Sequence, residues 1–297
     1  MRTVTLVEAP TSAGGYAPGQ EDGPRALLDA GLIARLEAAG VPVRRGGQVT
    51  PYRWRPDPDN PRAANAGAVI ERASQVAELV RAAPPAETIL VLGGDCTAGV
   101  GTVAALTHRF AQLGVVYVDR HADLNVPDST VDGALDWMGV AHMLDIAGAV
   151  DAFAALAGQR PMLSREQISF LGLGPHTDFE AEVIADRRLP VVDVTRASAS
   201  PRDAARAALS PLSDCDGLAV HFDVDLVDFL DAPLAENTDR GISPTLRACG
   251  EMLGELLADA RVRALTVTEF NPHHGSEDGS TTRRLLEILV TCLAQPE

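Results

Sequence analysis

Short runs of β-branched and apolar residues recur along this chain, separated by stretches whose apolar residues repeat at helical spacing. Val4 to Val7, Val41 to Val49, Thr88 to Leu92, Val115 to Val118, Ile168 to Leu173, Val191 to Val194, Gly217 to Phe222 and Ala264 to Glu269 read as about eight short strands. Helical patterns cover Pro24 to Ala39, Ala64 to Ala82, about Val100 to Leu113, Leu135 to Ala149, Pro201 to Leu209, Pro244 to Ala260 and Thr281 to Leu293. Alternation of this kind predicts an α/β fold of three layers, with a mostly parallel central sheet of about eight strands and helices on both faces. No repeat, low-complexity tract or linker divides the sequence, so residues 1–297 are expected to form a single domain.

Polar residues gather where these runs end, and in parallel sheets that is where ligand crevices form. VVYVDRHADLN, Val115 to Asn125, carries Asp119, His121 and Asp123 at every second position. Extended backbone past Asp119 would put all three on one side, within reach of one or two cations. A polar loop following a strand is the simpler alternative. HFDVDLVD places Asp223 and Asp225 two residues apart at the end of another buried strand, roughly 7 Å apart at the backbone from the rise per residue. Either a cation holds these carboxylates together, or Asp223 caps a backbone group and Asp225 opens a turn.

Taken together, four aspartates and a histidine leave strand ends that a single sheet would bring to one place. Five such ligands suffice for two divalent ions if carboxylates bridge, and an oxygen-rich set with one imidazole suits manganese, magnesium or iron better than zinc. A paired site of that kind holds a bridging water as hydroxide at neutral pH, which is the chemistry of hydrolysis.

The balance of 25 basic against 41 acidic residues, net −16, argues against a nucleic-acid or anionic-membrane partner and is compatible with a small or cationic substrate. Met1 to Pro10 lacks a long apolar core after a basic start, and no run approaches the roughly 18 apolar residues of a membrane span, so a cytoplasmic protein is expected. Cys96, Cys215, Cys249 and Cys292 lie far apart with no CxxC pair, which disfavours disulfides and structural zinc.

Five blocks, in order, resemble the ureohydrolase family, which includes arginase, agmatinase and formiminoglutamase. GQEDGP (Gly19 to Pro24) resembles its amino-terminal turn, GGDCTAGVGT (Gly93 to Thr102) its GGDHS block, and VDRHADLN its DAHxDxN block. HFDVDLVDFLDAP (His221 to Pro233) resembles SxDxDxxDPxxAP, and TEFNP (Thr268 to Pro272) resembles the ExNP block. The resemblance implies an arginase-like fold and a hydrolase that cleaves a guanidino or amidino C–N bond through a metal-bridging hydroxide, releasing urea or a urea derivative. It implies two Mn2+ per chain. Asp119, Asp123 and Asp223 match the ligands of one ion, Asp119, His121, Asp223 and Asp225 those of the other. Glu269 matches the acid that receives the guanidinium, Asn125 and Glu180 match further substrate contacts, and a homo-oligomer, trimer or hexamer, is implied.

Three positions depart from the family pattern. Cys96 replaces the GGDHS histidine, a ligand of the first ion; it is either a thiolate ligand, which would admit other divalent metals, or an inert buried residue. Asp136 stands where arginases carry a histidine that shuttles protons; it is either the shuttle or a surface residue, with His142 as another candidate. Gly174, Pro175, His176 and Thr177 replace acids that hold the amino-acid end of arginine, leaving Asp178 and Glu180 nearby. His176 contacts a substrate tail or is solvated, and His273 and His274 read as solvated loop residues. Two other classes compete with the hydrolase: a non-catalytic or regulatory protein on the same scaffold, and a metal-dependent amide hydrolase.

Overall fold

The structure, a computed structural model, describes residues 2–238 and 240–295. Its eight strands are β1 (Val4–Ala9), β2 (Val43–Gln48), β3 (Thr88–Gly93), β4 (Leu113–Val118), β5 (Ile168–Leu173), β6 (Val191–Asp193), β7 (Gly217–Asp223) and β8 (Val262–Thr268). They form one sheet in the order β2-β1-β3-β8-β7-β4-β5-β6, and every pairing is parallel. The expected three-layer α/β architecture is therefore observed, with an entirely parallel sheet.

Side-chain alternation along the central strands builds two cores, one on each face of the sheet. Val116 and Val118 of β4 join Leu90 and Leu92 of β3 in a core closed by the helices Leu246–Leu257 and Ser280–Leu293. Val115 and Tyr117 join Ile89 and Val91 in the other, beneath the helices Ala66–Ala82 and Thr97–Leu106. Among the described residues no helix is long and apolar enough to cross a membrane.

Several helix boundaries differ from the sequence expectation. The single helix expected over Pro24 to Ala39 is two, Gly23–Asp29 and Leu32–Ala38, because Gly31 turns left-handed at φ 92° between them. The helix expected from Val100 to Leu113 starts at Thr97 and ends at Leu106, and Leu113 already belongs to β4. Arg109, in the intervening loop, donates to the carbonyls of Val80, Arg81 and Ala83 and ties that loop to the carboxyl end of the helix Ala66–Ala82. Leu135 to Ala149 is a 3-10 turn, Asp136–Met138, and a short helix, Gly139–Met143, with a left-handed Asp145 soon after it. A helix absent from the sequence reading, Asp178–Arg187, begins in the GPHTDFE segment, where Thr177 and Glu180 form a reciprocal capping box.

The ends of β1, β3 and β8 interlock through one glycine. Asp95 N donates to Thr11 O at 2.9 Å, and Glu269 N donates to Gly94 O at 2.7 Å. A Cβ on Gly94 would lie 1.7 Å from Thr11 O, a backbone atom, whereas one on Gly31 would meet nothing within 4 Å. Gly94→Ala is thus expected to lose several kcal/mol or fail to fold, by overpacking against fixed backbone. Gly31→Ala should cost only the left-handed strain, about 1–2 kcal/mol. Urea denaturation of the two variants checks the contrast; a Gly94→Ala protein as stable as Gly31→Ala would contradict it.

Candidate metal centre and cleft

β3, β8, β7 and β4 are neighbours in the sheet, so four consecutive carboxyl ends deliver their next residues to one place. β4 runs into Asp119, β7 ends at Asp223, β8 hands over to Glu269, and Cys96 precedes the helix that follows β3. The carboxylates and Cys96 are buried.

Asp119, His121 and Asp123 do converge, but not by extended alternation. The chain bends after Val118, and Asp123 reaches the site from a left-handed conformation, φ 50°, with Tyr117 Oη donating to its Oδ2. His121 Nδ1 lies 2.9 Å from Asp225 Oδ2 and 3.7 Å from Asp119 Oδ1. At Asp223 the capping alternative is observed, and one carboxylate oxygen is left facing the acids. Its Oδ1 caps the turn by accepting from Asp225 N at 2.7 Å, while its Oδ2 lies 3.0 Å from Cys96 Sγ and faces the cluster. The Cys96 sulfur thus points among the acids rather than into the apolar core.

Glu269 is also left-handed, φ 64°, a conformation that costs a non-glycine residue on the order of 1–3 kcal/mol. Its carboxylate is held from two sides, by Cys96 N donating to Oε1 at 2.9 Å and Gln20 Nε2 donating to Oε2 at 3.1 Å.

Crowding of acids dominates the electrostatics. Burial, then Asp123 and Asp225, push the Asp119 carboxyl well above the ordinary carboxylate range, and burial with Asp225, Asp119 and Glu269 does the same to Asp223. Burial raises Asp123 to about 7. Burial opposes charge on His121, yet Asp225 beside it prevails and raises the imidazole to about 10. Burial likewise opposes charge on Asp225, but His121 holds that carboxyl below its usual range.

Buried acids that must otherwise take up protons to coexist are what a divalent cation relieves. Asp119 Oδ2 and Asp225 Oδ1 are buried with no hydrogen-bond partner among the described residues. Among the described residues three sets of side chains bring ligand atoms within 4.8 Å of one another: Cys96, Asp119 and His221; Cys96, Asp223 and Glu269; Asp119, His121 and Asp225. The sets share Cys96 and Asp119, so they mark adjoining positions, and the donors fit divalent metal ions.

Above the cluster is a small cleft of about 30 Å³, whose lining includes Tyr16, Asp136, Trp137, Asn237 and Glu269. Asp136 is 6% exposed and lines the cleft, so it is not a surface residue. Its Oδ1 accepts from Trp137 N at 2.9 Å, and burial followed by Glu269 raises its pKa well above the ordinary carboxylate range.

A model of the arginase family matches residues 2–294. The chain belongs to the arginase family. It is 27% identical to arginase from Bacillus subtilis over 97% of this chain and 98% of that protein, and 32% identical to arginase from Eremothecium gossypii over 93% and 71%. A crystal structure of the Bacillus subtilis arginase superposes with a TM-score of 0.87 at 24% identity, covering 99% of both chains.

Other residues singled out by their likeness to arginases lie off the cleft. Asn125 Oδ1 accepts from Ser129 Oγ at 2.9 Å and Thr177 Oγ1 at 3.3 Å, and Glu180 accepts from the backbone of Thr177 at 2.8 Å and Leu124 at 3.3 Å. These oxygens brace the loops around them, and neither residue, both expected as substrate contacts, is in the cleft lining. His176 is exposed, with Nδ1 3.0 Å from Gly174 O. His273 pairs with Asp22 at 2.9 Å and His274 with Glu236 at 3.5 Å, both apart from the cluster. Gln20, Tyr16, Asn237 and His221 were missed as site residues. The place of Gln20 in the GQEDGP block and of His221 two residues before Asp223 are signals that could have found them.

His142 is removed from proton shuttling by its bonds. Val150 N donates to Nε2 at 3.0 Å, which leaves Nδ1–H to donate to Met138 O, and burial lowers its pKa to about 4 from 6.5. The unfolded chain takes this proton near pH 6.5 and the folded protein only near 4, so His142 makes stability fall as pH drops through that window. His142→Gln is expected to be less stable near neutral pH, with the gap to wild type narrowing by about 2 kcal/mol between pH 7 and 5. Chemical denaturation of both metal-free proteins measures this; a gap that does not change with pH would contradict it.

Proposed function

We propose that the protein hydrolyses the guanidino C–N bond of a small substrate with the help of divalent metal ions, releasing urea or a urea derivative. The observation that carries this reading is the Glu269 carboxylate, fixed by Gln20 and the Cys96 amide at the edge of a cleft floored by metal-capable acids. A guanidinium is planar, cationic and rich in N–H donors, and a carboxylate held in one orientation receives it.

Asp119, His121, Asp123, Asp223 and Asp225, with Cys96, would hold two ions, manganese by family resemblance, with other divalent metals admitted by the sulfur. Bound there, such ions supply Lewis acidity and a water acidified to a nucleophile at neutral pH. The chain's own residues do the rest. The surrounding acids draw the cationic head inward, Glu269 orients its central carbon over the cluster, and Trp137 and Tyr16 narrow the space around it. Asp136, favoured in its neutral form, carries a proton for the nitrogen that leaves when the C–N bond breaks.

The residues at Gly174 to Thr177 offer no acid for the amino-acid end of plain L-arginine, and Glu180 is occupied by backbone amides. We therefore favour a modified arginine, such as its N-hydroxy form, or another guanidino acid over L-arginine itself. The clustered acids gather at the strand ends of one sheet, in keeping with a single domain over 1–297. Four buried free cysteines are in keeping with the reducing cytoplasm. Family membership is the ground for a homo-oligomer, trimer or hexamer.

Glu269→Gln is expected to leave the metal content unchanged and to lower urea release from a guanidine panel by at least about a thousandfold. Asp136→Asn keeps an acceptor for Trp137 N and should lower kcat by about 10²–10⁴ through loss of the proton. Steady-state kinetics with elemental analysis tests both; undiminished turnover in the Glu269 variant would remove its assigned role.

A further inference from the structure

Two departures from the family pattern face each other across this site. The GGDHS block has histidine where this chain has Cys96, and the SxDxDxxDPxxAP block opens on serine where this chain has His221. An imidazole is missing at one position and added at the other. We propose that His221 supplies the imidazole of the first metal position, so that the ligand lost at Cys96 is replaced from the adjoining strand ends and the position holds a mixed set of sulfur, nitrogen and oxygen. This inference rests on the metal-dependent reading above.

Placement follows from strand geometry. His221 lies on β7 two residues before Asp223, so both side chains leave the same face, the one covered by the helix Thr97–Leu106. A ring nitrogen of His221, Cys96 Sγ and an oxygen of Asp119 lie within 4.8 Å of one another. The ring is fixed rather than free to turn: it stacks on Tyr117 with centroids 4.2 Å apart and planes 2° from parallel. Its Nε2 lies 3.2 Å from Thr268 Oγ1, which is itself 3.3 Å from Cys96 Sγ.

What surrounds the ring is incomplete as protein structure alone. His221 Nδ1 and Asp119 Oδ2 are both buried, and neither has a hydrogen-bond partner among the described residues. Buried polar atoms are nearly always paired, and two orphans among residues that also cluster with a cysteine mark a missing partner. The helix makes room for the ring: a Cβ on Gly99 would lie 2.4 Å from His221 Nδ1.

The chemistry separates the two metal positions. Asp119, His121, Asp223 and Asp225 offer oxygen and one imidazole, which suits manganese. Cys96 with His221, Asp119, Asp123 and Asp223 is softer and shifts preference toward cobalt, iron or zinc. The two positions are therefore expected to fill with different metals rather than as an equivalent pair.

Cobalt(II) tests this on the full chain, by stoichiometry and by proton NMR of contact-shifted imidazole N–H resonances. Wild type is expected to bind two ions and show two such resonances, from His121 and His221, with a sulfur charge-transfer band. His221→Ser should lose one resonance and bind one ion at least 100-fold more weakly while the other affinity holds, and Cys96→His combined with His221→Ser should regain both ions without the sulfur band. Wild type with two ions and a single shifted resonance, or a His221→Ser protein with both affinities intact, would overturn the assignment while leaving the metal-dependent reading standing. Wild type that binds no cobalt would overturn both.

Discussion

Buried carboxylates brought to the ends of adjacent parallel strands repel one another, and the site depends on what relieves that repulsion. Asp119, Asp123, Asp223 and Glu269 all sit in surroundings that favour their neutral forms. Asp225 alone among the clustered acids is held charged, by His121. Protons could satisfy such a cluster only by quenching its charge. Divalent ions satisfy it while keeping every carboxylate ionised, and unpartnered oxygens on Asp119 and Asp225 point to that solution.

The sheet makes the crowding unavoidable. Its chain order runs from β3 past two places to β4, and β7 and β8 later fill the gap, so segments far apart in sequence end side by side. The packing beneath is apolar on both faces, which fixes the strand ends. Above, Gly94 is pinned between Thr11 and Glu269, and that contact sets where the guanidinium-receiving acid stands. Strain at Glu269 and Asp123 is tolerated because the surrounding hydrogen bonds determine both residues.

Much of this was legible in the sequence. Short runs of β-branched and apolar residues marked all eight strands, and the ordered motif blocks located the acids. Helix ends were read less well, because apolar spacing does not register a left-handed Gly31 or a capping box at Thr177. The convergence of Asp119, His121 and Asp123 was foreseen for the wrong reason, since a bend rather than extended backbone delivers Asp123. Asn125 and Glu180 were taken from motif position as substrate contacts; what motif position did not show is that their oxygens accept from Ser129, Thr177 and Leu124. Tyr16 and Asn237 belong to loops whose course only tertiary packing decides.

Equilibrium dialysis of the purified protein against manganese, followed by elemental analysis and thermal unfolding at each free-metal concentration, tests the central claim most directly. Two ions per chain, with Tm rising as free metal rises, is the expected result, because ions that bind only the folded site stabilise it by mass action. No bound metal, with Tm unchanged by manganese or raised by a chelator, would contradict the account.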